Sequence, residues 1–360
     1  MFLKIYQSYI IKEFLLTGVK IFSIFFILAF IIGIFEEITF FSKFDIEFYF
    51  PIFLVFLNIP TILYEIFPFI FLITTQFFFI KLVERDEMIA FKNYGLKNTK
   101  ILSIISLTSL IMGIFIVIFF YNISAALKFK YLDLKNEFTS DNKYLATITE
   151  NGIWIKDQMN NKTSFVNAET ISINYLYDVD ILIFNENFEL EKSITSKKVD
   201  ITKNIWKMES AQFIYQDNRT EKKINFEYAT NFNFDKIHSL FSNLSSLTIW
   251  ELFKIKKDYE SINYSTTEVS SHLQKILSYP FYLSIMTILS GTIMMNIRHQ
   301  KPKIFYIVGG IFFSVIIYYI QFFFSVLGKN ERIPINLSIW LPIILLLIIS
   351  LIGIIRLNEK

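Results

Sequence analysis

The chain has 360 residues, of which 53% are hydrophobic and 18% aromatic, with 42 phenylalanines. One soluble core could not cover so much apolar surface, so a bilayer is the expected solvent for the excess. A net charge of +3 gives no electrostatic footprint for nucleic acid, and the absence of cysteine excludes disulfides, thiolate metal sites and cysteine nucleophiles.

Lys4 and Lys12 lead into an apolar run, Phe14–Phe35. That run is too long for a signal-peptide core, and no small-residue cleavage pattern follows it. It reads as a retained membrane helix. Five further stretches can cross about 30 Å of hydrocarbon: Ile59–Ile80, Ile101–Tyr121, Ile276–Ile297, Ile304–Leu327 and Ser338–Ile355. Apolar sequence before the second begins at Phe48 and is punctuated by Pro51, Pro60 and Pro68. A short interfacial segment over Glu47–Asn58 is expected there.

The loop after the second span, "KLVERDEMIAFKNYGLKNTK" (Lys81–Lys100), is dense in charge. No proline or glycine interrupts Glu84–Tyr94, and Gly95 is a natural helix stop. Glu84, Asp86 and Glu87 are expected in the first turn, where acids complement the helix dipole. Met88, Ala90 and Phe91 supply apolar surface. Such a helix can be a peg for a partner's groove. It can also be a solvated connector held by (i, i+4) charge pairs.

Charge sets the expected orientation. Lys4 and Lys12, then Lys81, Arg85, Lys92, Lys97 and Lys100, then Arg298, Lys301 and Lys303, then Arg356 and Lys360 fall in one set of loops. The alternate loop after the first span holds Glu36, Glu37, Asp45 and Glu47 against Lys43. The positive-inside rule puts both termini in the cytoplasm and residues 122–275 outside.

That outer region opens with a polar helical stretch, "NISAALKFKYLDLKNEF". Alternating β-like runs follow, with turn signals at Asn151-Gly152, Asn185-Glu186-Asn187 and Thr202-Lys203-Asn204. An antiparallel sandwich or jelly roll is expected over about residues 137–235. A helical return follows over 246–275, with Ile249, Phe253, Lys256 and Lys257 in an amphipathic pattern. The fold class is therefore an α-helical polytopic membrane protein. It has six transmembrane helices in a 3+3 arrangement, three in 1–121 and three in 276–360. An extracytoplasmic antiparallel β-jellyroll or sandwich domain is inserted at 122–275.

Enzyme signatures are missing. Gly328-Lys329 lacks the rest of a phosphate-binding loop, and His238, His272 and His299 have no ligand spacing. There is no nucleophile elbow, zinc-protease motif or kinase signature. Within the spans, Lys20 and Glu65 are nearly the only ionisable residues, unlike an ion-coupled carrier. A machine driven by another subunit fits better.

Several fragments occur in an informative order: "IPTILYEIFPF", "ERDEMIAFKNYGL", "ENGIWIKD", "FNENFELEKS", "NIWKM" and "ERIPINLSIWLP". Together they resemble the LptF/LptG family of lipopolysaccharide-export permeases, LptG most closely, over nearly the full length. The resemblance implies half of an ABC-type exporter in the bacterial inner membrane. It implies no enzyme activity and no cofactor of its own. The implied partners are a homologous LptF-type permease, an LptB-type ATPase dimer that binds the ATP, and an LptC/LptA-type periplasmic bridge.

It also implies roles for residues. The segment holding Glu84, Arg85, Asp86, Glu87, Ala90, Phe91 and Gly95 would be the ATPase-coupling helix. Glu87 matches the family's acidic coupling residue, Arg85 the basic residue before it, and Gly95 the terminating glycine. The family's Ser or Thr after that glycine is displaced here to Asn98-Thr99. Helices one and five line the family's lateral gate. The candidate cavity residues are therefore Phe22, Phe26, Phe30, Phe312, Tyr318, Gln321 and Phe322. LptG-like members often carry several cations at the outer mouth of helix one. Here only Lys43 stands beside Glu36 and Glu37, so Lys43 is the candidate phosphate contact. A non-transporting FtsX-like regulator is the alternative, disfavoured by six spans instead of four. A membrane glycosyl- or acyltransferase would need a reactive His or acid cluster.

Overall fold

The computed structural model describes residues 4–136, 138, 153–159, 162–172, 175–186, 188–217, 219–230, 232, 243–261, 265–295, 304–330 and 332–358. Asn151-Gly152, His238, His299, Arg298, Lys301, Lys303 and Lys360 lie outside the described residues. The chain divides into two compact units, residues 1–131 with 267–360, and residues 132–266.

The first unit is helical: α1 (Ile5–Phe41), α2 (Tyr49–Glu84), α3 (Glu87–Asn93), α4 (Asn98–Phe115) and the start of α5 (Tyr121–Asn136), then helices of the C-terminal part. A π-helical turn, Ile116–Phe120, joins α4 to α5 without a break. Among the described residues, six helices are long and apolar enough to cross a membrane. The third runs from Asn98 to Lys135, about 57 Å at 1.5 Å per residue, so it outreaches the hydrocarbon.

The expected interfacial segment before span two does not form. α2 is one helix from Tyr49 to Glu84, with Pro60 and Pro68 inside it. A proline removes the hydrogen bond to the carbonyl four residues earlier. For Pro68 that carbonyl belongs to Tyr64, and it accepts a hydrogen bond from the Tyr279 hydroxyl. The break is thus repaired from a neighbouring helix.

That neighbour is the fourth span, preceded in the chain by α6 (Ile249–Ser261) and numbered α7 (Thr267–Met294). The last two spans are α8 (Ile304–Lys329) and α9 (Ile335–Asn358). Helices α2, α4 and α7 pack through small residues and hydroxyls. Ser106 pairs with Ser284 at 2.8 Å, Ser109 with Thr287 at 2.8 Å, and Ser290 donates to the Leu72 carbonyl at 2.8 Å. Gly113 lies so near Pro280 that a Cβ would come within 2.7 Å of its Cα. In lipid, such close backbones and polar pairs supply the association that hydrophobicity cannot. In the most apolar windows of α2 and α7, 78% and 72% of residues are buried, against 17% in both α1 and α8. So α2 and α7 form the centre, and α1 and α8 its open flanks.

Among its described residues the second unit holds six strands: β1 (Ile153–Met159), β2 (Lys162–Ser172), β3 (Tyr175–Phe184), β4 (Leu190–Asp200), β5 (Ile205–Tyr215) and β6 (Thr220–Ala229). Both described turn signals are turns. Asn185 bonds to Glu189 and Phe188 between β3 and β4, and Asp200 Oδ1 accepts from Thr202 between β4 and β5. The described strands form one antiparallel sheet in the order β1-β2-β3-β4-β5-β6. This is the inserted antiparallel β domain expected, and its described strands run as a meander. The reason is local: every connection is too short to do anything but join neighbours.

One face carries the core, including Val166, Leu176, Ile181, Val199, Trp206 and Phe213. The alternation slips by one residue along a transverse line. In β3 burial passes from Leu176 to Val179, in β4 from Ser196 to Val199, and in β5 from Met208 to Ala211. Left-handed backbone at Asp178 (φ 48°) and Asn225 (φ 55°) lies on the same line. Pairing register is unchanged across it. The sheet is therefore creased, and its apolar side stays inward on both sides of the crease. Helix α6 starts in a capping box between Thr248 and Glu251. It buries Leu252, Ile255 and Tyr259, while Phe253 is exposed.

Candidate functional site

The charged loop does form a helix, but a shorter one than its sequence suggests. Glu84 is the last residue of α2, and Arg85 caps it. Asp86 adopts left-handed backbone, φ 56° and ψ 11°, and only then does α3 begin at Glu87. Of the three expected first-turn acids, only Glu87 is in the first turn. Aspartate tolerates this conformation better than most residues, so the chain can turn there.

The other end behaves as expected. Gly95 is left-handed at φ 77°. Its N–H bonds the Lys92 carbonyl at 2.9 Å, and the Leu96 N–H bonds the Phe91 carbonyl at 2.9 Å. These two bonds make a Schellman motif.

Side chains fasten α3 on one side only. Met88 and Phe91 pack on the helical core. Glu87 is largely covered. Its Oε1 accepts from the Tyr9 hydroxyl at 2.8 Å, Arg85 lies 3.7 Å away, and its Oε2 is buried without a hydrogen-bond partner. The Tyr9 ring meets Phe91 edge-on at 6.4 Å. One turn further along α1, Glu13 is ion-paired with Lys81 of α2. The opposite side of α3 presents Ile89, Ala90, Asn93 and Tyr94, the last 87% exposed. Tyr9, Glu13, Ile89 and Tyr94 were not among the residues singled out from sequence. The available signal was two polar residues at (i, i+4), Tyr9 and Glu13, at the start of an apolar helix. A recess of about 370 Å³ lies just past the helix, lined by Gly95, Leu96, Lys97, Thr99, Lys100 and Ser103.

The flanking helices hold the expected cavity residues in two different settings. On α1, Phe22 stacks on Phe67 at 5.7 Å and lies 6.5 Å from Phe26, and Phe30 meets Phe56 at 4.9 Å, so this aromatic row packs toward α2. The open side of α1 is formed by Ile24, Ile27, Leu28, Ile31 and Phe35. On α8, Phe312, Tyr318 and Phe322 are exposed and Gln321 is half-buried. Only a stripe of Gly310, Ser314, Ile317, Ser325 and Gly328 is buried. The Gln76 side chain of α2 donates to the Tyr306 carbonyl at 3.0 Å, and Gly310 leaves the room it occupies.

Near the far end of α1, Lys43 is exposed. Glu37 is buried and accepts from the Tyr131 hydroxyl at 2.7 Å. Lys128 lies 4.5 Å over the Tyr131 ring and donates to Asn58 at 2.7 Å. One of the two acids that seemed to repel an anionic headgroup is thus structural, and a lysine from α5 stands in the same group of side chains.

The family model described as lipopolysaccharide export system permease LptF/LptG matches residues 8–356. The chain belongs to the LptF/LptG family. Membership makes it a multi-pass permease of the inner membrane concerned with lipopolysaccharide export. The match spans both units and does not separate LptF from LptG. Individual curated proteins give no match to the chain.

Proposed function

We propose that this permease is one half of an ABC-type exporter, paired with a homologous permease. In this reading α3 docks on an LptB-type ATPase. The ends of the chain face the cytoplasm and the β unit the periplasm. The observation that carries the reading is the form of α3. It is a compact helix, closed by a Schellman turn, packed on one side and open on the other. A connector needs no such face. A docking peg needs Ile89, Ala90, Asn93 and Tyr94 turned outward on a helix that cannot roll.

Lipid physics explains the rest of the architecture. Burial of each acyl CH₂ is worth about 0.8 kcal/mol, so a multi-chain lipid drawn bare into water would lose roughly tens of kcal/mol. The route must keep the chains covered. The open apolar sides of α1 and α8 suit a cavity shared with the paired permease. Closure of the ATPase dimer would move α3, narrow that cavity and drive lipopolysaccharide toward the β unit. An LptC/LptA-type bridge would then receive it by pairing with an edge strand of the β unit. This chain moves and guides the lipid and makes no bonds; ATP is bound and hydrolysed by the partner.

The test is co-purification of the ATPase with this chain and its paired permease. The wild type should retain the ATPase, and Ala90→Arg, on the outward face of α3, should lose it. No association with the wild-type pair would overturn the docking reading.

A further inference from the structure

We infer that Tyr9 is a positioning residue that gives α3 a side-chain tie of its own to α1, so that movement of α3 reaches the open-flanked helix through that tie as well as through α2. The inference rests on the docking reading above and adds the transmission step to it.

The argument starts from how α3 is attached. Its only covalent link to α2 is Arg85-Asp86, which are outside both helices, with Asp86 in left-handed backbone. The axis changes direction there, although the Asp86 N–H still bonds the Val83 carbonyl and the Asp86 carbonyl accepts from Ile89 and Ala90. A polar side-chain link of α3 runs to α1. Tyr9 donates to Glu87, the first residue of α3, and its ring touches Phe91 one turn later. Two contacts from one side chain, a turn apart, fix both the position of α3 and its rotation.

The receiving end is suited to the task. α1 is a 37-residue helix without an internal proline. From Tyr9 to Phe30 it extends about 32 Å at 1.5 Å per residue. Its middle packs on α2 through Phe22 and Phe30 along one side and is open on the other. A displacement at Tyr9 therefore travels as a rigid-body motion to the side that carries Ile24, Ile27 and Ile31. The Glu13–Lys81 ion pair, one turn above Tyr9, provides the pivot, because it holds α1 against the end of α2. Glu87 fits the same role. Its Oε1 accepts from Tyr9 at 2.8 Å. Arg85, at 3.7 Å, is its nearest cation.

The test uses the intact complex of both permeases and the ATPase in nanodiscs containing lipopolysaccharide. Two rates are measured, ATP hydrolysis and lipopolysaccharide release. Tyr9→Phe keeps the ring and removes the hydroxyl. The lipid released per ATP should fall by about tenfold, the factor that corresponds to losing one hydrogen bond to a charged group. The ATPase should remain bound in wild-type ratio. The double variant Tyr9→Phe with Glu87→Gln should lose no more than the worse single one. Spin labels at Lys12→Cys and Lys92→Cys, both exposed positions in a cysteine-free chain, read the α1–α3 distance. That distance should be the same in the nucleotide-free and vanadate-trapped states of the wild type, and should broaden in Tyr9→Phe.

An unchanged lipid-to-ATP ratio in Tyr9→Phe, with the ATPase bound, would overturn the relay and leave docking intact. A proportional fall of both rates together with a lower melting temperature would reduce Tyr9 to a structural contact and also overturn it. Failure of the ATPase to bind the wild-type complex would overturn docking and the relay together.

Discussion

The Tyr279 hydroxyl caps the carbonyl of Tyr64, the one that Pro68 leaves without its helical donor. The two tyrosine rings also stack at 4.5 Å and 14°. Tyr279→Phe keeps the stack and orphans the carbonyl. It should destabilise the helical unit by about 1 kcal/mol, read as a lower melting temperature in detergent. Pro68→Ala restores the backbone donor, so the same hydroxyl deletion should cost much less in that background. Equal costs in both backgrounds would refute the repair.

Neighbouring glycines on α8 give an internally controlled test. A Cβ at Gly310 would collide with the Gln76 amide, whereas nothing lies within 4 Å of one at Gly309. Gly310→Ala should break the Gln76–Tyr306 bond and destabilise by about 1–3 kcal/mol. Gly309→Ala should be neutral or stabilising by up to about 1 kcal/mol, since alanine favours helix. Thermal unfolding of the pair decides the matter.

Gly95 lacks close neighbours, so its substitution isolates backbone strain. With φ at 77°, Gly95→Ala should cost about 1 kcal/mol locally, and Gly95→Asn less. Hydrogen exchange at Leu96, whose N–H closes the Schellman motif, should accelerate in the same order.

Acid should loosen the β unit at particular turns. The side chain and backbone of Thr202 hold the Asp200 carboxyl below the usual carboxylate range, and Lys162 does the same for Glu191. A depressed folded-state pKa contributes stability above the unfolded value and loses it as pH falls through the folded one. Protection of the β4–β5 turn should therefore decline below about pH 4. Asp200→Asn keeps an acceptor for Thr202 but cannot titrate, so it should flatten that decline. An unaltered pH profile in Asp200→Asn would exclude the turn as its source.

Much of this architecture could be read from the residues because it rests on local periodicity. Apolar length located six spans, and alternation broken by Asn185 and by Thr202-Lys203-Asn204 located the β3–β4 and β4–β5 turns. What escaped depends on distant partners. Pro68 suggested an interruption in α2, because nothing near it in sequence shows that Tyr279 supplies the missing donor. Glu37 looked like loop charge until Tyr131, 94 residues away, covered it. The stop at Arg85-Asp86 escaped because neither residue is a helix breaker by type. Phe22, Phe26 and Phe30 share a helix face, and periodicity alone does not say whether a face meets lipid, a cavity or α2.

The crease in the β unit has a consequence for how its strands can vary. Leu176/Val179, Ser196/Val199 and Met208/Ala211 each take the same half-step at one line, so three hydrophobic patterns are phased to a common boundary. An inserted residue just before Val199 would carry the remainder of β4 onto the wrong face while β3 and β5 stayed in step. Length changes are thus tolerable at the hairpins, where they are absorbed by the turns. Within the strands they would have to come in concert, across several hairpins at once.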